Sequence, residues 1–450
     1  MTNDLTKGSP AKLIFMFAIP YLIGNLFQQF YNMADTVIVG RTIGVNALAA
    51  VGATGTLAWF SMGTIQGLTT GLSAVTAQRF GANDLQGIKK SFAMSIILSF
   101  TFTLIMTLVM CTFIYPILEL LQTPPDIIQD SYNYIIWILA GLFATNLFNL
   151  LSNMIRALGD SRTPLIFLIV ACIVNIALDF VLIIYAKMGT AGAGLATAIA
   201  QLFSGILCLV YIIKKLPILH ISLSDFKISW NMMAQLFKIG MPMAFLNMVL
   251  AVGGLIIQFV NNGLGTLYVA SYAAANKIEQ FIIQPIISFG SATAIFAAQN
   301  YGARKLKRIK KGINQSILMT LVWSVTGSLL MFFFGKFLMQ LIAGGESQEL
   351  IKNGYQYILI NSILTFILTP LVIYKSVLQS IGSAFLPVLS GFVEVFARAA
   401  ASIVLTGFFG FVGLCFANPA AWFGGLIPIA IDYWLLMRKF KKMGMNEEIS

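Results

Sequence analysis

Apolar runs of about twenty residues or more, divided by short clusters of Gly, Pro and charge, recur from residue 13 to residue 437. A helix needs about 20 such residues to cross the roughly 30 Å hydrocarbon core of a bilayer. The runs predict twelve helices, at 13–40, 52–79, 91–117, 131–155, 164–186, 192–214, 240–262, 267–300, 312–341, 354–377, 385–408 and 412–437. The breaks carry turn chemistry: GAND at 81–84, TPPD at 123–126, GDSRTP at 159–164, GTAGAG at 189–194 and AGGES at 343–347. A polar tract at 215–239 separates the sixth helix from the seventh. The pattern reads as an all-α polytopic membrane protein of twelve transmembrane helices. The first run continues to about residue 40 without a basic leader, so it is expected to be a span and not a cleavable signal.

The two halves of the pattern match each other. TAQRFGANDLQGIKK at 76–90 returns as AAQNYGARKLKRIKK at 297–311, 221 positions on. Pro20 answers Pro242, Gly44 answers Gly265, and Gly159 and Pro164 answer Gly382 and Pro387. Gly189 and Gly192 answer Gly410 and Gly413. Six helices per half start and end on one side of the membrane, which makes the halves parallel repeats about an axis near the membrane normal. The expected organisation is two pseudo-symmetric six-helix lobes, 1–214 and 240–450, with 215–239 as a cytoplasmic linker. A cleft between such lobes suits alternating access.

Composition agrees with the pattern. Only 10% of the chain is charged and 58% is hydrophobic, against about 25% charge in soluble domains. The net charge of +12 could suggest a nucleic-acid partner, but its placement removes that reading. Of 28 Lys and Arg, only Arg41, Lys187, Lys336 and Lys352 fall on one side, Lys277 and Arg398 lie within spans, and the remaining 22 face the other side. The positive-inside rule then places both termini in the cytoplasm of a cell that carries this chain in its plasma membrane. Cys111, Cys172, Cys208 and Cys415 sit in apolar runs without metal-ligand spacing, and the one histidine, His220, lies in the central tract. There is no GxxxxGK[ST] loop for ATP, no HExxH and no GxSxG, so no enzyme and no cofactor is expected. Nothing resembles the selectivity filter of a passive channel.

Ionisable groups inside a span cost about 2.5–3.5 kcal/mol or more and ask for a reason. The candidates are Asp35, Asp179, Lys277, Glu279, Glu394 and Arg398. Asp35 and Asp179 have no basic neighbour in sequence. Counted from Arg41, Lys187 and Gly192 at 1.5 Å per residue, Asp35, Asp179 and Thr197 lie at one depth, about 8–12 Å below the outer surface. Asn175 shares the face of Asp179 one turn deeper. Together these groups could line a cation site such as one for Na⁺, or supply a carboxyl pair that takes up a proton. Helix–helix glue is the structural alternative, and two unpaired acids in lipid are costly glue. Glu394 and Arg398, four apart, are expected to form a structural ion pair. Lys277 and Glu279, with Gln280 and Gln284, are expected to line a substrate cleft.

These stretches resemble the multidrug and toxin extrusion (MATE) family over nearly the whole chain. The resemblance is carried by IPYLIGNLFQQFYNMADTVIVGRTIG (19–44), TAQRFGAND (76–84), RALGDSRTP (156–164), VNIALDFVLI (174–183) and GTAGAGLATAIAQ (189–201). KIGMP (238–242), YVASYAAANKIEQ (268–280) and AAQNYGA (297–303) carry it in the second half. It implies export of organic cations or other amphipathic small molecules, driven by inward flow of H⁺ or Na⁺, by a protein expected to work as a monomer. In the DinF-like branch it implies cation coupling in the first lobe, at positions matching Asp35, Asn175, Asp179 and Thr197, with Tyr134 the nearest match to a fifth. The NorM-like branch carries a Glu on its seventh helix. The seventh helix here has no acidic residue and places Leu250 near that position, which favours the first-lobe site. The runner-up is a flippase for lipid-linked saccharides. Such proteins line their cleft with several cations, and only Lys277 and Arg398 lie within spans here.

Overall fold

The computed structural model describes residues 3–343, 348–383 and 385–442. Nearly all of the AGGES break, Glu346 included, lies outside the described residues. Within them eleven helices are long and apolar enough to cross a membrane, and a twelfth arises when one bent pair is taken as a single span. In the first half these are α1 (Pro10–Thr42), α2 (Val45–Gly81), α3 (Leu85–Leu120), the pair α4 (Pro125–Ala140) and α5 (Leu142–Ala157), α6 (Arg162–Asp179) and α7 (Thr190–Lys215). In the second half they are α8 (Trp230–Leu264), α9 (Thr266–Gly302), α10 (Leu306–Ala343), α11 (Gln348–Ser380), α12 (Phe385–Phe409), the short α13 (Phe411–Cys415) and α14 (Ala417–Lys442).

Three details depart from the apolar pattern. The fourth predicted helix bends by 43° at Gly141. A Cβ at Gly141 would sit 2.5 Å from the Ala198 Cβ on α7, so the bend lets the two backbones meet. The fifth passes from α6 into a π-helical turn at Phe180–Tyr185, immediately after Asp179. The seventh begins at Trp230, inside the stretch read as linker. Met232, Leu236 and Ile239 recur at helical spacing and are buried in a core with Leu68, Leu72 and Phe92. The polar residues Asn231, Gln235 and Lys238 between them hide this face from a hydropathy reading.

Packing divides the chain into two compact units. One comprises Met1–Asp4 and Ile19–Asn247, the other Leu5–Ala18 and Met248–Ser450. The division falls within α1 and α8, not at the ends of the 215–239 tract. In the first unit the early part of α8 closes on α2, and a Cβ at Gly71 would lie 2.6 Å from the Gly240 Cα. Asn247 Nδ2 donates to the Gly63 carbonyl at 2.7 Å. In the second unit the Leu5 N–H donates to Gln299 Oε1 at 2.9 Å, and Ile14, Phe17 and Ala18 pack with Ala292 and Phe296.

The repeat is written in backbone torsions as well as letters. Gly44 and Gly265 have φ of 124° and 105°, Gly159 and Gly382 of 86° and 96°, and Gly189 and Gly410 of 59° and 58°. Asn83 and Arg304, which are not glycines, also pair at 56° and 59°. These are left-handed conformations that glycine adopts without steric cost, so each half turns its chain at corresponding places.

Candidate functional site

The first unit collects its polar groups where α1, α4, α6 and α7 meet. Asp35 lies inside α1 and is 6% exposed, while Asp179 closes α6 with no exposed surface. Asn175, one turn before Asp179, is also fully buried. In the amide orientation that satisfies its neighbours, Asn175 Nδ2 donates to Asp179 Oδ2 at 3.1 Å and its oxygen accepts from the Thr197 backbone N–H at 3.2 Å. Tyr134 on α4 and Asp179 both lie within electrostatic reach of Asp35. All five residues expected from the sequence are therefore brought together. Tyr31, one turn before Asp35, joins them by donating to Thr197 Oγ1 at 2.9 Å. It was missed in sequence, and its i, i+4 relation to Asp35 was the available signal.

Glycine positions this cluster. A Cβ at Gly194 would sit 2.5 Å from the Tyr134 carbonyl oxygen, and one at Gly192 would sit 3.2 Å from the Leu182 carbonyl carbon in the π turn. The GTAGAG segment thus lets the first turns of α7 lie against α4 and the end of α6, which carries Thr197 to Asn175. π turns recur at functional sites because the extra residue re-aims the side chains beside it.

Asp35 Oδ1, Asp179 Oδ1 and Gln201 Oε1 are buried with no hydrogen-bond partner among the described residues. Buried acceptors are normally satisfied. Among the described residues neither aspartate makes an ion pair. Two such carboxylate oxygens, on residues gathered with hydroxyls and an amide, suit a proton or a small hard cation, which prefers oxygen ligands. Among the described residues no group of three His, Cys, Asp or Glu could hold a metal ion, so a cation here would depend on neutral oxygens for the rest of its shell.

The second unit has a different polar centre. Glu279 on α9 is 2% exposed and accepts at Oε2 from the Tyr357 hydroxyl at 2.9 Å, while its Oε1 has no partner. Asn418 Nδ2 donates to the Tyr357 hydroxyl at 3.0 Å, and the Tyr272 ring meets Tyr357 edge-on at 5.1 Å. The residues expected to line a cleft, Lys277, Glu279, Gln280 and Gln284, differ in their surroundings. Lys277 is exposed, Gln284 donates to Gln280 at 3.3 Å, and Glu279 turns inward alone.

The expected Glu394–Arg398 pair is corrected. Glu394 pairs with Lys375 of α11 in a short contact, and the Ser390 hydroxyl donates to it at 3.1 Å. Arg398 turns instead towards α8, where a Cβ on Gly253 would lie 2.5 Å from its Nη1, and its Nε is buried without a partner. Spacing of four places two side chains on one face, but a lysine from the neighbouring helix reaches the carboxylate first.

Comparison with known proteins agrees with this architecture. Residues 20–181 and 242–403 match the family described as MatE, the same two segments that the internal repeat pairs. The probable multidrug resistance protein YoeA of Bacillus subtilis (strain 168) is 27% identical over 375 residues, covering 81% of each chain. The probable multidrug resistance protein NorM of Thermotoga maritima is 23% identical over 430 residues, covering 93% of this chain and 89% of that one. A solved multidrug resistance MATE family transporter in an outward-facing conformation superposes with a TM-score of 0.90 at 21% identity, over 98% of this chain and 100% of that one. At that identity the likeness is one of fold. Matched in both halves of its repeat, the chain belongs to the MATE family of multi-pass membrane transporters.

Proposed function

We propose that this chain exports drugs or other amphipathic organic compounds, organic cations among them, by proton- or sodium-coupled antiport, with the coupling cation bound at Asp35 and Asp179. The observation that carries the reading is the pair of buried aspartates, each with one unpartnered oxygen and neither in an ion pair among the described residues. The multidrug names of the relatives support the substrate class. Asn175 orients Asp179, Tyr134 stands close to Asp35, and Tyr31 holds the Thr197 hydroxyl beside them. In this reading the protein works as a monomer in the plasma membrane with both termini in the cytoplasm. Cation loading neutralises the acids, lets the surrounding helices repack, and shifts one inward–outward equilibrium towards drug release and return.

The experiment is gradient-driven dye export, read as accumulation in everted vesicles with proton and sodium gradients imposed separately. Asp35→Asn and Asp179→Asn keep side-chain size and remove the ionisable group. Each is expected to abolish gradient-driven efflux at normal membrane expression. Efflux at the wild-type rate in either variant would remove that residue from the coupling site, and poor expression of both would favour a purely structural role.

A further inference from the structure

The first unit holds a second polar feature, remote in sequence from the aspartates and unused by the coupling reaction. Where α2 ends, α3 begins and α8 begins, a cavity of about 350 Å³ is lined by Arg79, Asp84, Lys90, Asn231 and Gln235, among others. Arg79 donates to Asp84 Oδ2 at 3.2 Å and to Gln235 Oε1 at 2.9 Å, which occupies two of the guanidinium's five N–H groups. Because the Gln235 oxygen is taken, its amide NH₂ remains as a donor. Asp84 is already engaged, accepting from the Gly87 N–H at 2.8 Å. Lys90 makes no ion pair among the described residues. The positive field extends to the linker: hydrogen bonds from Ser222, and then Lys89 and Lys90, hold the Asp225 carboxyl below its ordinary range.

The corresponding corner of the second repeat offers a comparison. Asn300, Lys305, Arg308 and Lys311 stand 221 positions after Arg79, Asp84, Gly87 and Lys90. In the second unit Asn300 and Arg308 donate to the Leu5 carbonyl at 3.2 and 3.3 Å, and Lys305 donates to the Thr6 carbonyl at 3.0 Å. That corner is therefore a seat for oxygen acceptors. In the first unit Asp84 and Gly87 stand where Lys305 and Arg308 donate, so only Arg79 keeps a donor at a matching position. A guanidinium and an ammonium border the cavity. Nearby, Trp230 is 78% exposed and Ile228 and Leu85 are each 59% exposed, the amphipathic fringe of a headgroup-level surface. The basic side of the chain is the side on which anionic lipids attract juxtamembrane Lys and Arg.

We propose that this cavity binds the phosphate of an anionic phospholipid headgroup, with Arg79 and Lys90 as charged contacts and Asn231 and Gln235 as neutral ones. The test is thermal unfolding of the purified full-length chain in detergent, titrated with phosphatidylglycerol, phosphatidylcholine or inorganic phosphate. Phosphatidylglycerol is expected to raise Tm saturably, phosphatidylcholine to leave it unchanged, and inorganic phosphate to act only at much higher concentration. Lys90→Gln is expected to shift the phosphatidylglycerol midpoint about five-fold upward, the effect of about one surface cation. Lys311→Gln, at the equivalent position of the second repeat, is expected not to move it. Should Lys90→Gln fold poorly, Gln235→Glu adds a carboxylate to the same cavity and is expected to weaken the lipid at least as much. Equal responses to phosphatidylglycerol and phosphatidylcholine would overturn the proposal, as would a midpoint unmoved by either cavity variant. Inorganic phosphate matching the lipid at equal concentration would assign the site to a free anion instead.

Discussion

A carboxylate sealed among helices is stabilised either by a cation beside it or by a proton on it, and this chain contains both arrangements. Glu394 has its cation, Lys375, with Ser390 fixing the geometry, and reads as structure. Asp35 and Asp179 have polar neighbours but no ion pair among the described residues, and read as a place where charge comes and goes. The contrast predicts opposite mutational behaviour. Lys375→Met strands Glu394 and is expected to destabilise the fold by about 3–5 kcal/mol. The double change Lys375→Met with Glu394→Gln should recover a large part of that loss, measured as unfolding in detergent. A double variant no more stable than Lys375→Met alone would contradict the pairing. In sequence, Asp35, Asn175, Asp179 and Thr197 were legible because isolated polar groups in apolar runs are conspicuous and their depths can be counted. Tyr31 was not, since among fourteen tyrosines its only mark was its spacing of four from Asp35. Nor was the Lys375–Glu394 pair, because partners on different helices leave no spacing to read.

At the scale of elements, small residues decide where helices meet. Without a hydrophobic drive between helices in lipid, close backbone approach supplies much of the packing. Gly141 brings the bend between α4 and α5 onto α7, and Gly194 seats α7 against the carbonyl of Tyr134. Gly194→Ala is therefore expected to push α7 away from α4, separate Thr197 from the cluster, and lower gradient-driven efflux about ten-fold or more. Gly254→Ala on α8, where a Cβ would meet nothing within 4 Å, is the matched control and is expected to transport normally. Wild-type efflux in Gly194→Ala would show that the cluster tolerates a displaced α7. The helices themselves were legible from hydropathy, and GTAGAG was visible as a break. The 43° bend and the π turn after Asp179 were not, because both arise from contacts with another helix. The early start of α8 was hidden by polar residues between its buried positions.

The whole molecule is two copies of one six-helix plan, legible from a spacing of 221 and repeated in its backbone torsions. The limits of the compact units were not legible, because hydrogen bonds of Leu5 with Gln299 and Asn300, and the approach of Gly71 to Gly240, are tertiary choices. The copies have diverged in chemistry. The first unit gathers two buried acids in one site, neither in an ion pair among the described residues, while in the second Glu279 stands singly beside Tyr357 and the charge of Arg398, and Glu394 is paired with Lys375. That asymmetry is why we propose the coupling site in the first. Coupling also imposes reciprocity: if a cation at Asp35 and Asp179 weakens drug binding, the drug must weaken cation binding by the same factor. The most direct measurement is the affinity of the purified protein for a fluorescent organic cation, taken across pH and across sodium concentration. Affinity is expected to fall as pH is lowered or as sodium is raised, and Asp35→Asn should flatten that dependence. An affinity in the wild-type protein indifferent to both ions would contradict coupled antiport through this site.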